Sequence, residues 1–334
     1  MNEHIYKENK KALIKSCTYY SICAVVIGVL LVIAMSLDLL NRQYTDLSIQ
    51  IGYYIILAVS LNLTCGFLGE LTLGHAAFMS IGAYVGSLLT IRLSETNTNW
   101  LISILFAVIL GGICAAVCGF FFRLTVLRLR GDYLAIVTLA FGEIVKSIVN
   151  SLKVTGEAGG LKNNTYYTDS EHYLLVFFLV VVSVVILSNI IKTRLGRATR
   201  AVRDNAIAAE ATGVNVNQIR VIIFVISAFF AGVAGVIFAH SRSIINPTAF
   251  DYNMSINILV IAVLGGLGNI KGSILAVIIL TILPEALRPL AAYRMLIYSL
   301  VLIGLMLFNN SKFKKQLLES DKIKVLFKRN RGEA

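Results

Sequence analysis

Side chains able to do chemistry are scarce in this chain, and they fall in three groups. Glu70, Thr72 and His75 stand among Gly66, Gly69 and Gly74 in an otherwise apolar stretch. A glycine-rich break at membrane depth exposes backbone N–H and C=O groups, which is tolerated only against protein or a water-filled path. Such groups suit a zwitterionic solute, so Gly66, Gly69, Glu70, Thr72 and His75 are candidates for a translocation path. The alternative is that the glycines only let helices approach closely. Glu143 and Lys146 form the second group; three residues apart, they share one face of a helix and can pair. A lone charge at the centre of a span costs about 2.5–3.5 kcal/mol. The pair is therefore either a path wall or interhelical lock, or two side chains reaching an interface. The third group is a charged, Ala/Gly-rich island from Arg200 to Gly213 between two long apolar runs. A helix-prone polar island of that kind suits docking on a separate, water-soluble protein.

Other chemistries find no support. The four histidines (His4, His75, His172, His240) are scattered, so no catalytic set of a membrane enzyme assembles. The five cysteines lie in or beside apolar runs; Cys114 and Cys118 share a helix face without flanking His or carboxylate, and read as small buried side chains rather than a metal site. Gly265-Gly266-Leu267-Gly268-Asn269 lacks the phosphate-loop spacing, and Lys271 precedes Gly272, so a tight turn explains it. Ala228, Gly232 and Gly235 are spaced for close helix packing. An ion-coupled carrier would want paired intramembrane carboxylates and an internal duplication, neither of which is evident. A cofactor site is not expected in this chain.

The elements that position these groups follow from composition. Of 334 residues, 57% are hydrophobic and 14% charged, against about a quarter charged in a soluble domain. Lipid must be the solvent, and the fold class is all-α, a polytopic membrane protein. The net charge of +12 does not indicate nucleic acid, because Lys and Arg gather at the ends of apolar runs. With roughly twenty apolar residues per span, about ten transmembrane helices are expected, near 18–38, 47–65, 74–92, 100–122, 133–151, 172–191, 219–240, 253–269, 272–288 and 293–309. Segment 66–73 reads as a broken or re-entrant connection. The first run is long enough to be an uncleaved span rather than a signal peptide. Starting with the N-terminus inside, 22 of the 30 Lys and Arg fall on inside segments and seven outside. That bias places both termini in the cytoplasm. The organisation is then a cytoplasmic segment 1–17, a transmembrane domain 18–309 with a cytoplasmic loop 192–219, and a basic tail 310–334. The outer loop Thr155–Leu161, rich in glycine, could meet an external receptor or be an ordinary surface loop.

Several blocks occur in order: Leu61-Asn62-Leu63 with Gly66 and Gly69; Leu73-Gly74-His75-Ala76-Ala77-Phe78 with Ile81-Gly82-Ala83-Tyr84; Leu129 to Ile144; Gly196-Arg197-Ala198; Ile207 to Gly213; and Val263 to Gly268. Together they resemble the permease subunits of branched-chain amino-acid ABC importers, specifically the M-type subunit. The resemblance implies a multi-pass prokaryotic cell-membrane importer of Leu, Ile and Val. Its partners would be a second permease subunit, expected to be a paralogue, two cytoplasmic ABC ATPases that bind ATP and Mg, and an extracytoplasmic substrate-binding protein. Importers of urea, amides or other amino acids are the alternative. The family's coupling signature is Glu-Ala-Ala, three residues, then Gly; here Ile207-Ala208-Ala209 precedes Gly213, the leading Glu is missing, and Glu210 follows. The resemblance thus assigns ATPase coupling to Ala208, Ala209, Glu210 and Gly213. Arg197, Arg200 and Arg203 would meet acidic groups on the ATPase, and 194–218 would act as the docking helix.

Overall fold

The structure, a computed structural model, describes residues 42–95, 99–127, 129, 131–162, 170–288 and 293–310. These are mostly helical and divide into two compact units, one ending at Ile278 and one beginning at Ile279. The first unit holds α1 (Arg42–Asn62), α2 (His75–Glu95), α3 (Trp100–Thr125), α4 (Asp132–Ser151), α5 (Ser170–Lys192), α6 (Arg194–Asp204), α7 (Ala206–Ala211), α8 (Val216–His240), α9 (Tyr252–Leu264) and the first part of α10 (Ile270–Ala286). The second carries the end of α10, with Pro284 inside it, and α11 (Arg294–Asn310).

Among the described residues, six helices are long and apolar enough to cross a membrane: Thr45–Leu68, His75–Glu95, Trp100–Thr125, Asp132–Ser151, Leu174–Lys192 and Val216–His240. The expected span 253–269 is shorter than the sequence suggested. Its helix, α9, stops after 13 residues, because the glycine turn begins at Gly265. The expected span 18–38 lies outside the described residues, as do segment 1–17 and tail residues 311–334.

α8 and the α1 span form the core: 72% of the apolar stretch is buried in α8 and 83% in Thr45–Leu68, against 22% in α5 and 28% in α4. Glycines explain how neighbours reach α8. A Cβ on Gly82 of α2 would run into the Gly232 backbone, and one on Gly235 into Met79 O. A Cβ on Gly111 of α3 would sit 2.9 Å from Gly82 O. Three helices thus touch backbone to backbone, which in lipid replaces the missing hydrophobic drive with dispersion contact. Ala228, Gly232 and Gly235 are packing residues, as their spacing indicated. α4 and α5 instead turn large apolar side chains outward, among them Tyr133, Ile136, Leu174 and Phe178.

The two ends of this first unit differ. At one, β1 (Leu161–Lys162) pairs antiparallel with β2 (Ile244–Ile245), and Tyr84 Oη donates to Ile245 O at 2.9 Å. At the other lie the break after α1, the α6–α7 segment and the 265–269 turn, drawn together by the contacts described next.

Candidate functional site

α1 ends in a π-helical turn, Leu63–Leu68, closed by Gly69 at φ +79°. The Glu70 N–H donates back to Thr64 O at 3.1 Å, and residues 69–74 run without regular structure to α2. The expected break is therefore a widened helix end plus a short connection.

That connection delivers Glu70 into a buried ion triad. Arg123 of α3 places Nη2 2.8 Å from the Glu70 carboxylate, and Arg220 of α8 places Nε 3.0 Å from Oε1. Arg123 is wholly buried, and its guanidinium stands 5.8 Å from the Phe224 ring centroid. Among the described residues, two cations share this one anion. Nε and Nη1 of Arg123 have no hydrogen-bond partner among the described residues. Such a triad is strong evidence for a fixed arrangement and weak evidence for net stability, because burying charge costs several kcal/mol per ion.

The rest of the connection is equally committed. The Leu73 N–H donates to Thr138 Oγ1 at 2.9 Å, and the Ala76 N–H to Ser255 Oγ at 3.1 Å. His75 Nε2 lies 2.8 Å from Ser60 Oγ, and Ser227 Oγ donates to Ser60 O at 2.6 Å. Thr72 is buried against Cys65. A Cβ on Gly74 would sit 2.6 Å from Thr138 O, and one on Gly66 would strike the Asn62 side chain and the Gly268 backbone. The glycines here are filled by protein from neighbouring elements. Gly66, Gly69, Glu70, Thr72 and His75 are thus brought together at one helix break.

Asn62 carries the adjacent clamp. Its Nδ2 donates to Ser273 Oγ at 2.7 Å and lies 3.3 and 3.4 Å from Asn269 O and Gly266 O. Its Oδ1 accepts from the Gly268 N–H at 2.8 Å. Gly266 and Gly268 both have positive φ (+91° and +82°), so the turn can present these backbone groups to one amide.

The stretch 194–218, expected as one docking helix, is α6, α7 and the first residues of α8. Asn205 ends α6 in an extended conformation, and its Oδ1 accepts the Ala208 N–H at 3.0 Å, capping α7. α7 ends in a Schellman turn: Val214 N–H to Ala209 O at 3.1 Å and Gly213 N–H to Glu210 O at 2.9 Å, with Gly213 at φ +85°. Gly213 has open space around it, while Ala208, Glu210 and Ile207 (82% exposed) face out and Ala209 is buried. The small-residue surface is therefore Ala208 and Gly213, with Ala209 serving as the seat of α7.

The arginines are tied to this chain itself. Arg197 Nη1 lies 3.4 Å from Lys192 O, and Arg200 Nη2 donates to Ile191 O at 3.0 Å. Arg203 Nη1 donates to Gly66 O at 2.6 Å, and its stem lies over Gly69. Arg203 thus joins α6 to the break that holds Glu70. Glu143 and Lys146 are elsewhere, paired with each other at 3.4 Å on α4 with side chains 42% and 27% exposed.

A bundle of long apolar helices with a capped, exposed α7 is compatible with a transport permease. The family model described as branched-chain amino acid transport system / permease component matches residues 43–309. The chain belongs to this family. It is 33% identical over 312 residues to the high-affinity branched-chain amino acid transport system permease protein LivM of Escherichia coli strain K12, covering 84% of this chain and 72% of that protein. The LivM protein of Salmonella typhimurium matches with the same identity and coverage. The LivH permease of Escherichia coli K12 is 23% identical over 255 residues, 69% of this chain and 80% of that one. No solved structure matches.

In this permease Arg123, Arg220 and Asn62 hold the site together. In the sequence the two arginines read as charges flanking spans, and Asn62 as part of a block. The available signal for Arg123 was its place one turn inside an apolar helix end, after Phe120-Phe121-Phe122, where a solvated charge is out of place.

Proposed function

We propose that this chain is one of two permease subunits of an ATP-driven importer of Leu, Ile and Val, the other being a paralogue. It spans the prokaryotic cell membrane about ten times with both termini in the cytoplasm, and itself performs no chemistry. Two cytoplasmic ATPases hold ATP and Mg, and an extracytoplasmic binding protein delivers the solute. The 33% identity to LivM proteins supports the substrate class. The observation that carries the mechanism is the Arg203–Gly66 hydrogen bond. It gives motion of α6–α7 a rigid route into the end of α1, and so into the Glu70 triad. ATP binding closes the ATPase pair and draws α7 with it; release of nucleotide resets it.

The test is reconstitution of the full importer in vesicles, measuring leucine uptake per ATP hydrolysed. Gly213→Val puts a β-branched residue in a left-handed turn, costing at least about 1–2 kcal/mol locally, and displaces α7. ATP hydrolysis then continues while uptake falls. Gly213→Asn, which tolerates that conformation, retains most coupling. Equal coupling in wild type and Gly213→Val would remove the docking role. Uptake that runs without ATP on an ion gradient would remove the importer reading altogether.

A further inference from the structure

Glu70, Thr72 and His75 are buried within the protein, whereas Glu143 and Lys146 keep partly exposed side chains on α4. Depth makes that exposure informative. α4 has 20 residues, and Glu143 lies eleven helical rises from Asp132 and eight from Ser151, about 16 and 12 Å. A carboxylate that far from either end does not reach an interface. Charge at mid-span is tolerated against protein or a water-filled cavity, not against lipid. The exposed side of α4 is itself divided. Tyr133, Ile144 and Ile148 form a large apolar strip that suits lipid. Beside it run Ile136, Ala140, Glu143, Ser147 and Asn150, at the three-and-four spacing of a single line, with Lys146 on its flank. Val145 and Val149 lie on the opposite, buried face. The line is apolar over its first two turns and polar from Glu143 onward.

We propose that this line is one wall of the solute path and binds the zwitterion of an α-amino acid. The ammonium sits on the Glu143 carboxylate, the carboxylate on the Lys146 ammonium, and a branched apolar side chain over Ala140 and Ile136. The assignment rests on the importer function proposed above. Glu143 and Lys146 hold their charges 3.4 Å apart, and an α-amino acid carries its own two on one carbon. The four charges then alternate in sign around a closed ring. The protein pair is local and half-solvated, so opening it to a ligand costs little; a protein partner would meet charges that already neutralise each other. Helix side chains lean toward the N-terminus, which carries the bound solute toward Ala140, one turn from Glu143, where a side chain that ends at Cβ leaves room. The apolar run 21–37 carries no charge and supplies neither group with a partner.

The test uses the permease–ATPase assembly in lipid nanodiscs, which leave both faces open to water. It measures the rate at which a charged, membrane-impermeant methanethiosulfonate modifies Ser147→Cys, with the wild-type chain as blank. Ser147→Cys reacts; Ile148→Cys, on the apolar strip, does not. Leucine slows the reaction. Isocaproate, which lacks the ammonium, and isoamylamine, which lacks the carboxylate, protect far less at the same concentration. In the Ser147→Cys chain, Glu143→Gln with Lys146→Gln raises the half-protecting leucine concentration about tenfold, equivalent to about 1.4 kcal/mol. Glu143→Asp with Lys146→Arg keeps the protection, so its loss in the glutamine pair reports charge rather than misfolding. Equal protection by the three compounds, or unchanged protection in the glutamine pair, overturns the proposal. So does an inert Ser147→Cys, since lipid or a partner protein then covers the line. ATP-driven leucine uptake by the wild-type importer separates the two readings. With uptake present and Ser147→Cys inert, only the wall falls; with uptake absent, the importer reading falls and the wall with it.

Discussion

Among the described residues, Glu143 and Glu70 are held in opposite ways. Glu143 pairs with Lys146 one turn along its own helix, and both remain partly exposed. Glu70 lies on an irregular connection and is held by Arg123 and Arg220, which come from two other helices and are buried. The first pair decorates one element; the second group ties three elements at a point. The local pair can be made or lost with little change elsewhere. The long-range triad has no such freedom, because its members are buried and come from three elements.

Mutation separates the two cases. Glu70→Gln should be the most damaging change, at about 3–5 kcal/mol, because two buried guanidinium groups lose their counter-charge. Thermal unfolding of the purified protein in detergent reads it. The triple change Glu70→Met, Arg123→Met and Arg220→Met should recover most of that loss, since it leaves no unpaired charge; failure to recover would mean the triad fixes packing as well as charge. Asn62→Leu comes next, at about 1–3 kcal/mol, the cost of leaving the half-buried Gly268 N–H without its acceptor, while the Ser273 hydroxyl keeps its bond to Asn269 O. Hydrogen exchange should show the 265–269 turn opening while α8 stays protected.

Arg203→Lys sharpens the comparison from the middle, since Arg203 makes a long-range contact from a half-exposed position. Its stability cost should be about 1 kcal/mol, with a larger fall in leucine transported per ATP. Glu143→Gln should be the mildest, below about 1 kcal/mol. A loss of several kcal/mol there would show that α4 buries the pair against another subunit and would erase the contrast.

The same contrast explains what could be read in the chain beforehand. Glu143 and Lys146 were legible because their relation is a spacing of three on one helix. The apolar runs that became α2, α3, α4, α5 and α8 were legible for the same reason: length and hydropathy are local. The triad was not, because Glu70 meets Arg123 and Arg220 only after the chain has folded back on itself. Charge counting assigned both arginines to the flanks, an assignment that contains nothing about partners. Composition marks 194–218 as a polar helical stretch but not as two helices, since the break at Asn205 depends on whether its side chain caps the next turn or faces solvent. α9 was drawn too long for a related reason. The glycines after Leu264 extend an apolar run in hydropathy, yet their backbone turns to meet Asn62.

The seam joining Gly82, Gly111, Gly232 and Gly235 has a consequence for how this protein can vary. A residue packed by side chains can shrink, and its neighbour can grow to match. At Gly82 and Gly232 each partner is already the smallest residue there is. Any replacement only adds volume, and no second substitution across the contact can give it back. Such positions offer no compensated detour through sequence space, so the geometry of this helix pair is inherited whole or lost.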